Sequence, residues 1–178
     1  MWFAINVRPG CEERALALLQ ERALPDGLEE LFVPRVEVGA AREGSDPPEE
    51  PLAPGLLVAV APGKREIRAA LRHARGIDEL LLDGPSAAEM EPGEVALLGA
   101  LTCPGHRTVG FSEGLVGTGG AITVTSGPLC GRENLIRRVR HRGKRAYVRM
   151  SVAGQEVEAQ VGLRVTCRRS TTGAVATG

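Results

Sequence analysis

The sequence predicts an α+β protein built from two units, an N-terminal α/β sandwich followed by a small five-stranded β-barrel. Through residue 101 the apolar pattern reads β-α-β-β-α-β-α, which implies helices on one face of a mostly antiparallel sheet. From Gly119 onward, strand and turn signals recur every eight to ten residues with no helical period. The charge also reverses between the halves. Residues 1–101 carry 10 Lys/Arg and 18 Asp/Glu, a net of −8, whereas residues 102–178 carry 12 and 4, a net of +8. A formal net charge of zero therefore hides two modules of opposite sign, suited to different partners. With 43% hydrophobic but only 3% aromatic residues, the core is expected to be Leu, Val, Ile and Ala.

Trp2 to Val7 alternates and reads as a strand, ended by Arg8-Pro9-Gly10. Cys11 to Ala23 is an amphipathic helix, with Ala15, Leu16, Leu18 and Leu19 apolar and Glu12 and Glu13 at its positive end. Pro25-Asp26-Gly27 stops it. Leu31 to Val38 is the second strand, and the polar, Pro-rich segment 40–51 reads as a mobile loop. Leu56 to Ala61 is a continuous apolar run, fit for a buried central strand. A helix follows over Lys64 to Arg75, with Ile67, Ala70 and Leu71 on one face. Leu80 to Leu82 reads as a short strand ended by Asp83-Gly84-Pro85, and a last helix runs from Pro92 to Leu101.

Residues 102–115 show no period and read as a linker. The barrel strands are then Ala121–Thr125, Leu135–Arg140, Arg145–Val152, Glu156–Val161 and Leu163–Cys167. The second unit is expected over 116–169, with a disordered tail at 170–178. Its outstanding stretch is Gly127 to Met150, which holds eight cations in 24 positions: Arg132, Arg137, Arg138, Arg140, Arg142, Lys144, Arg145 and Arg149. His141 lies among them, and Glu133 is the one acid. Alternation sends Ala146, Val148, Met150 and Val152 to the core and Arg145, Tyr147 and Arg149 to the other face. An aromatic between two arginines suits a stacked base flanked by phosphates, and equally a solvated face. Arg137 and Arg138 are adjacent, so they point opposite ways unless a bulge intervenes.

Nothing in the chain reads as catalytic. His73, His106 and His141 are far apart, and Ser112 and Ser126 lack a nucleophile-elbow pattern. Gly117-Thr118-Gly119-Gly120 has no following Lys-Ser/Thr and reads as a turn. Cys11, Cys103, Cys130 and Cys167 have no CxxC spacing and read as free thiols in a reducing cytosol. No cofactor, metal or membrane partner is expected, and the expected location is the cytoplasm.

Both halves resemble one family. Trp2-Phe3-Ala4 with Arg8-Pro9-Gly10-Cys11-Glu12, Phe32-Val33-Pro34-Arg35, Pro51-Leu52-Ala53-Pro54-Gly55-Leu56-Leu57-Val58 and Ala74-Arg75-Gly76-Ile77 resemble the N-terminal domain of NusG-type transcription elongation factors. Ile122-Thr123-Val124 through Ser126-Gly127-Pro128-Leu129 resembles the KOW domain that follows it. The resemblance spans residues 2–168. It implies a binding role: the N-terminal domain docks an apolar depression on the clamp helices of RNA polymerase. By match, Trp2, Leu52, Ala53, Pro54, Gly55 and Leu56 would line that contact. Ala53 and Leu56 stand where large aromatics are common, which makes the depression shallower, and Asn134 stands where a glycine is usual.

The basic segment is most similar to the LoaP branch, specialised processive antiterminators associated with structured nascent RNA. That implies RNA contacts from Arg132, Arg137, Arg138, Arg140, His141, Arg142, Lys144, Arg145, Tyr147 and Arg149, with non-template DNA as a further partner. The alternatives are a housekeeping factor whose KOW domain meets Rho or a ribosomal protein, and a ribosome-associated KOW protein.

Overall fold

A computed structural model describes residues 1–23, 27–39, 46–102, 105–117 and 120–167. The tail expected at 170–178 and the first half of the expected loop 40–51, residues 40–45, lie outside these residues. The N-terminal sheet has the order β2-β5-β1-β6, where β1 is Trp2–Asn6, β2 Glu30–Phe32, β5 Leu56–Val60 and β6 Ala88–Glu89. All its pairings are antiparallel.

Period-two alternation gives this sheet two buried faces. Phe3, Ile5, Leu57 and Ala59 point to one side, where helices α1 (Glu12–Ala23) and α2 (Lys64–His73) cover them with Ala15, Leu19, Ile67 and Leu71. Ala4, Leu56, Val58 and Val60 point to the other, so β5 is buried at every position. That second face meets helix α3 (Pro92–Leu101) through Leu98 and Leu101, in a cluster that continues into the C-terminal sheet. The expectation of helices on one face thus fails for α3, which belongs to the opposite side.

Two strand expectations also change. The strand expected over residues 31–38 is split by Val33-Pro34 into β2 and β3 (Arg35–Glu37). Proline offers no N–H to the ladder, and β3 joins a separate sheet of order β4-β3-β7, with β4 at Glu49–Pro51 and β7 at Thr108–Val109. The end of the segment expected as a mobile loop is therefore a strand. Leu80 to Leu82 forms only an isolated bridge, Val7 with Leu81, before the chain turns away.

The C-terminal sheet has the order β10-β11-β12-β8-β9, formed by Ile136–Arg140, Arg145–Val152, Gln155–Cys167, Ser112–Val116 and Ile122–Ser126 in that order. Five strands were expected, but with different membership. The stretch expected as a linker contributes β8, which pairs parallel with β12 and antiparallel with β9. Its inward residues are Ser112 and Gly114, so no apolar alternation marks it. The two strands expected either side of Gly162 are one, β12. A Cβ at Gly162 would sit 2.8 Å from the Glu37 carbonyl and against the Phe111 ring, so glycine here admits a close approach between units. No β9–β10 pairing closes the sheet into a barrel among the described residues.

The loop between β4 and β5 is pinned by Gly55. Its N–H donates to Glu12 Oε1 at 2.6 Å, and its carbonyl accepts the Val7 N–H at 2.9 Å. Its φ is +80°, and a Cβ would lie 2.6 Å from the Val7 carbonyl. Gly76 has a similar φ of +86° but open space where its Cβ would be. Gly76→Ala is therefore expected to cost about 1 kcal/mol from backbone strain alone, and Gly55→Ala clearly more. Equal denaturant midpoints for the two variants would remove the close approach from the account.

Candidate functional site

The first set of candidate residues lies at the junction of the two units. Trp2, half-buried, packs edge-on against Phe32 with ring centroids 5.6 Å apart. The Arg107 guanidinium lies over both rings, 5.0 Å from Trp2 and 4.8 Å from Phe32. It also forks onto Glu30, with Nε donating to Oε1 at 2.7 Å and Nη2 to Oε2. The hydrogen bonds to Glu30, helped by its charge, raise the Arg107 pKa against the opposing effect of burial.

Leu52, Ala53 and Leu56 are buried in the cluster shared with the C-terminal sheet, and Gly55 is buried beside them. Pro54 is the exposed member of the set. Ala53, Pro54, Gly55 and Leu56 line a cavity of about 90 Å³ whose other wall includes Val152, Ala153, Gln155 and Val157. The apolar depression that the resemblance implies is thus faced by the β11–β12 turn.

Glu94 fixes that turn. It sits in the first turn of α3, buried, with both carboxylate oxygens doubly engaged. Oε1 accepts the Ser151 hydroxyl at 2.5 Å and the Gly154 N–H at 3.0 Å. Oε2 accepts the Ala153 N–H at 2.9 Å and the Glu91 N–H at 3.0 Å. A carboxylate has about four acceptor sites, and here all four are filled. Burial pushes the Glu94 pKa up, but the hydrogen bonds from Ser151, Gly154, Glu91 and Ala153 outweigh it and hold the group below its ordinary range. A second bridge lies on β3, where Glu37 Oε2 accepts the Phe111 N–H at 2.9 Å.

The second set forms the β10–β11 hairpin at the sheet edge. Arg137, Arg138, Arg140, His141, Arg142, Lys144 and Arg149 are exposed, while Arg132 and Arg145 are half-buried. The register shifts between Ile136 and Arg138, so a bulge leaves Arg137 and Arg138 both facing solvent. Among the described residues, Arg137, Arg138, Arg140, Arg142 and Lys144 form no ion pair. Arg149 approaches Glu156 at 3.7 Å, Arg145 donates to Gln160 at 3.0 Å, and Arg132 donates to the Pro128 and Cys130 carbonyls.

Tyr147 departs from expectation. It is only 9% exposed, and the Arg138 guanidinium covers its ring at 4.1 Å. Arg138 pairs with Tyr147 across the hairpin, which places the cation on the ring. A base could stack on Tyr147 only after displacing Arg138.

Sequence reasoning missed Glu94, Glu37 and Arg107 as bridging residues. Glu94 could be read as a helix-start acid three residues after Glu91, but no local signal gives its second partner, about 60 residues away. Arg107 lay in the stretch expected as a featureless linker.

A family model described as transcription termination factor NusG matches residues 1–98. No curated protein matches the chain. A solved structure of Thermotoga maritima NusG, described as "Domain interaction in Thermotoga maritima NusG", aligns with a TM-score of 0.51 and 14% identity, covering 92% of each chain. At that identity the likeness speaks to fold alone. The family match spans more than half of the chain, and on that ground the chain belongs to the NusG family of transcription factors.

Proposed function

We propose that this chain is a transcription elongation factor of the specialised, processively antiterminating kind. Its N-terminal unit holds RNA polymerase at the clamp helices through the Trp2 and Leu52–Leu56 surface. The C-terminal sheet is a KOW domain whose basic hairpin holds structured nascent RNA. The observation that carries the RNA half is the row of five unpaired cations on β10 and the following turn, exposed and unscreened by neighbouring acids. A NusG family factor acts with RNA polymerase, which supports the other half. The units are expected to divide near residues 101 and 116, although β8 belongs to the C-terminal sheet.

If about five phosphates are neutralised, RNA affinity falls with salt at a log-log slope of about −3.5 to −4.5. The full chain is the right reagent, because the C-terminal sheet shares a buried cluster with the N-terminal unit. It should prefer one structured hairpin over its scrambled counterpart, and replacing Arg140, Arg142 and Lys144 with Gln should flatten the slope by about 2–3. Weak, unselective binding would instead favour a housekeeping factor whose KOW domain meets Rho or a ribosomal protein.

The polymerase surface is occluded in this arrangement, so capture requires the units to part. The structural neighbour is described in terms of domain interaction in that protein, and the contact here gives such an interaction a specific latch. Glu94→Ala strands the Ala153 and Gly154 N–H groups and is expected to weaken closure by about 2–4 kcal/mol. Polymerase capture by the variant should rise above that of the parent, with Ser151→Ala intermediate. Capture that is unchanged in both variants would sink the occlusion reading.

Acid should act in the same direction. Glu94 is held below its ordinary pKa in the closed form. Its contribution is therefore complete above the ordinary carboxylate range and is lost as pH falls through the depressed value. Small-angle scattering is expected to show the parent expanding on acidification, with a reduced pH response in Glu94→Gln. Identical profiles for the two proteins would remove Glu94 from the latch.

A further inference from the structure

The cations of the basic hairpin are not equivalent. Arg132, Arg145 and Arg149 are already engaged, by the Pro128 and Cys130 carbonyls, by Gln160 and by Glu156. Arg137, Arg140, Arg142 and Lys144 are exposed, and among the described residues their side chains form no hydrogen bond or ion pair. Arg138 is in neither group. The Tyr147 ring holds its guanidinium at 4.1 Å, yet no hydrogen bond or ion pair occupies its N–H groups among the described residues. It is restrained in place with its donors free.

The backbone sets that restraint. The register shift after Ile136 leaves Arg138 directly opposite Tyr147, so the two side chains share one face of the hairpin. On its other side Tyr147 pairs with Gln160 of β12, and the ring is almost fully buried. Packing, and not solvent, therefore decides where the ring lies. An arginine stacked on such a ring presents its planar fork in a narrow range of directions, whereas a free one samples many rotamers. A phosphate can be approached from many sides, and four unrestrained cations already serve it. Direction matters at a base edge, where sequence is read.

We infer that Arg138 reads one guanine of the bound RNA, and that Tyr147 is the positioning residue that aims it. The inference rests on the RNA reading of the hairpin proposed above. Arginine carries donors only. Two parallel N–H groups match two acceptors side by side, and among the groove edges of paired bases guanine alone offers them, as N7 and O6. Adenine sets a donor beside its N7, cytosine presents a donor, and uracil presents one acceptor. The major groove of a regular A-form helix is too deep and narrow for a side chain to read. The guanine therefore stands beside a bulge or loop, where its edge is open. Arg140 shares the face of Arg138 two residues further on, about 7 Å along the strand. Phosphates next to the base thus have a cation within reach.

The test uses the full chain and a library of RNA hairpins with randomised bulge and loop. The parent should enrich hairpins that carry guanine at one fixed place. Arg138→Lys keeps the charge and loses the fork, and should lower the preference for that guanine by about 5- to 150-fold. Its log-log salt slope on the best hairpin should stay within about 0.5 of the parent's. Arg140→Lys should leave the preference intact. Deazaguanosine, which has carbon in place of N7, should weaken binding by the parent and not by Arg138→Lys. Tyr147→Phe keeps the ring and should behave as the parent, whereas Tyr147→Leu should lose the preference at an unchanged slope. Equal guanine preference in the parent and Arg138→Lys would overturn the inference, as would enrichment with no guanine requirement. Both of those outcomes leave RNA binding by the hairpin standing. A parent that enriches no hairpin overturns that reading and this inference together.

Discussion

The four hydrogen bonds on the Glu94 carboxylate are the constraint on which the arrangement of the two units depends. One oxygen pair ties the start of α3 to its own N-terminus and at the same time to the β11–β12 turn. The turn contributes two backbone N–H groups and a hydroxyl, all of which would otherwise need water. Charge-assisted bonds of this type contribute about 1.5–3 kcal/mol each, and losing the acceptor leaves the donors uncompensated. The apolar cluster beneath is extensive but non-directional; Glu94 selects which loop sits over Ala53–Leu56. Gly162 works in the same sense on the other flank, because only the absence of a Cβ lets Phe111 and the Glu37 carbonyl lie against β12.

Closure and charge are separated in space. The latch turn lies at one end of β11 and the basic turn at the other. The strand has eight residues, so the two turns are about 26 Å apart at 3.3 Å per residue. That distance is several Debye lengths at physiological salt. The hairpin's cations neither hold the units together nor suffer when they close. The N-terminal acids do not neutralise them, even though the whole chain has no net charge.

What was legible in the sequence follows from how local each signal is. The helix over Pro92–Leu101 and the strand over Arg145–Val152 emerge with the expected bounds, because a proline at a helix start and strict alternation are local facts. The bulge at Arg137 was foreseeable, since two adjacent arginines cannot both face solvent in a regular strand. β8 was not, because Ser112 and Gly114 fill its inward positions and a strand without inward apolar residues looks like a linker. Alternation alone sends Tyr147 to the exposed face; the Arg138 guanidinium that covers its ring comes from the neighbouring strand, which one strand's pattern cannot contain.

Occlusion also limits which ligands could open the molecule. A ligand shifts a two-state equilibrium only by its difference in affinity for the two states. The hairpin tip is exposed with the units closed and takes no part in the latch. Nucleic acid bound there alone therefore leaves the closed fraction unchanged, however tightly it binds. One route remains. A competitor for the Ala53–Leu56 wall binds only the open form and draws the population toward it, its apparent affinity reduced by the fraction open.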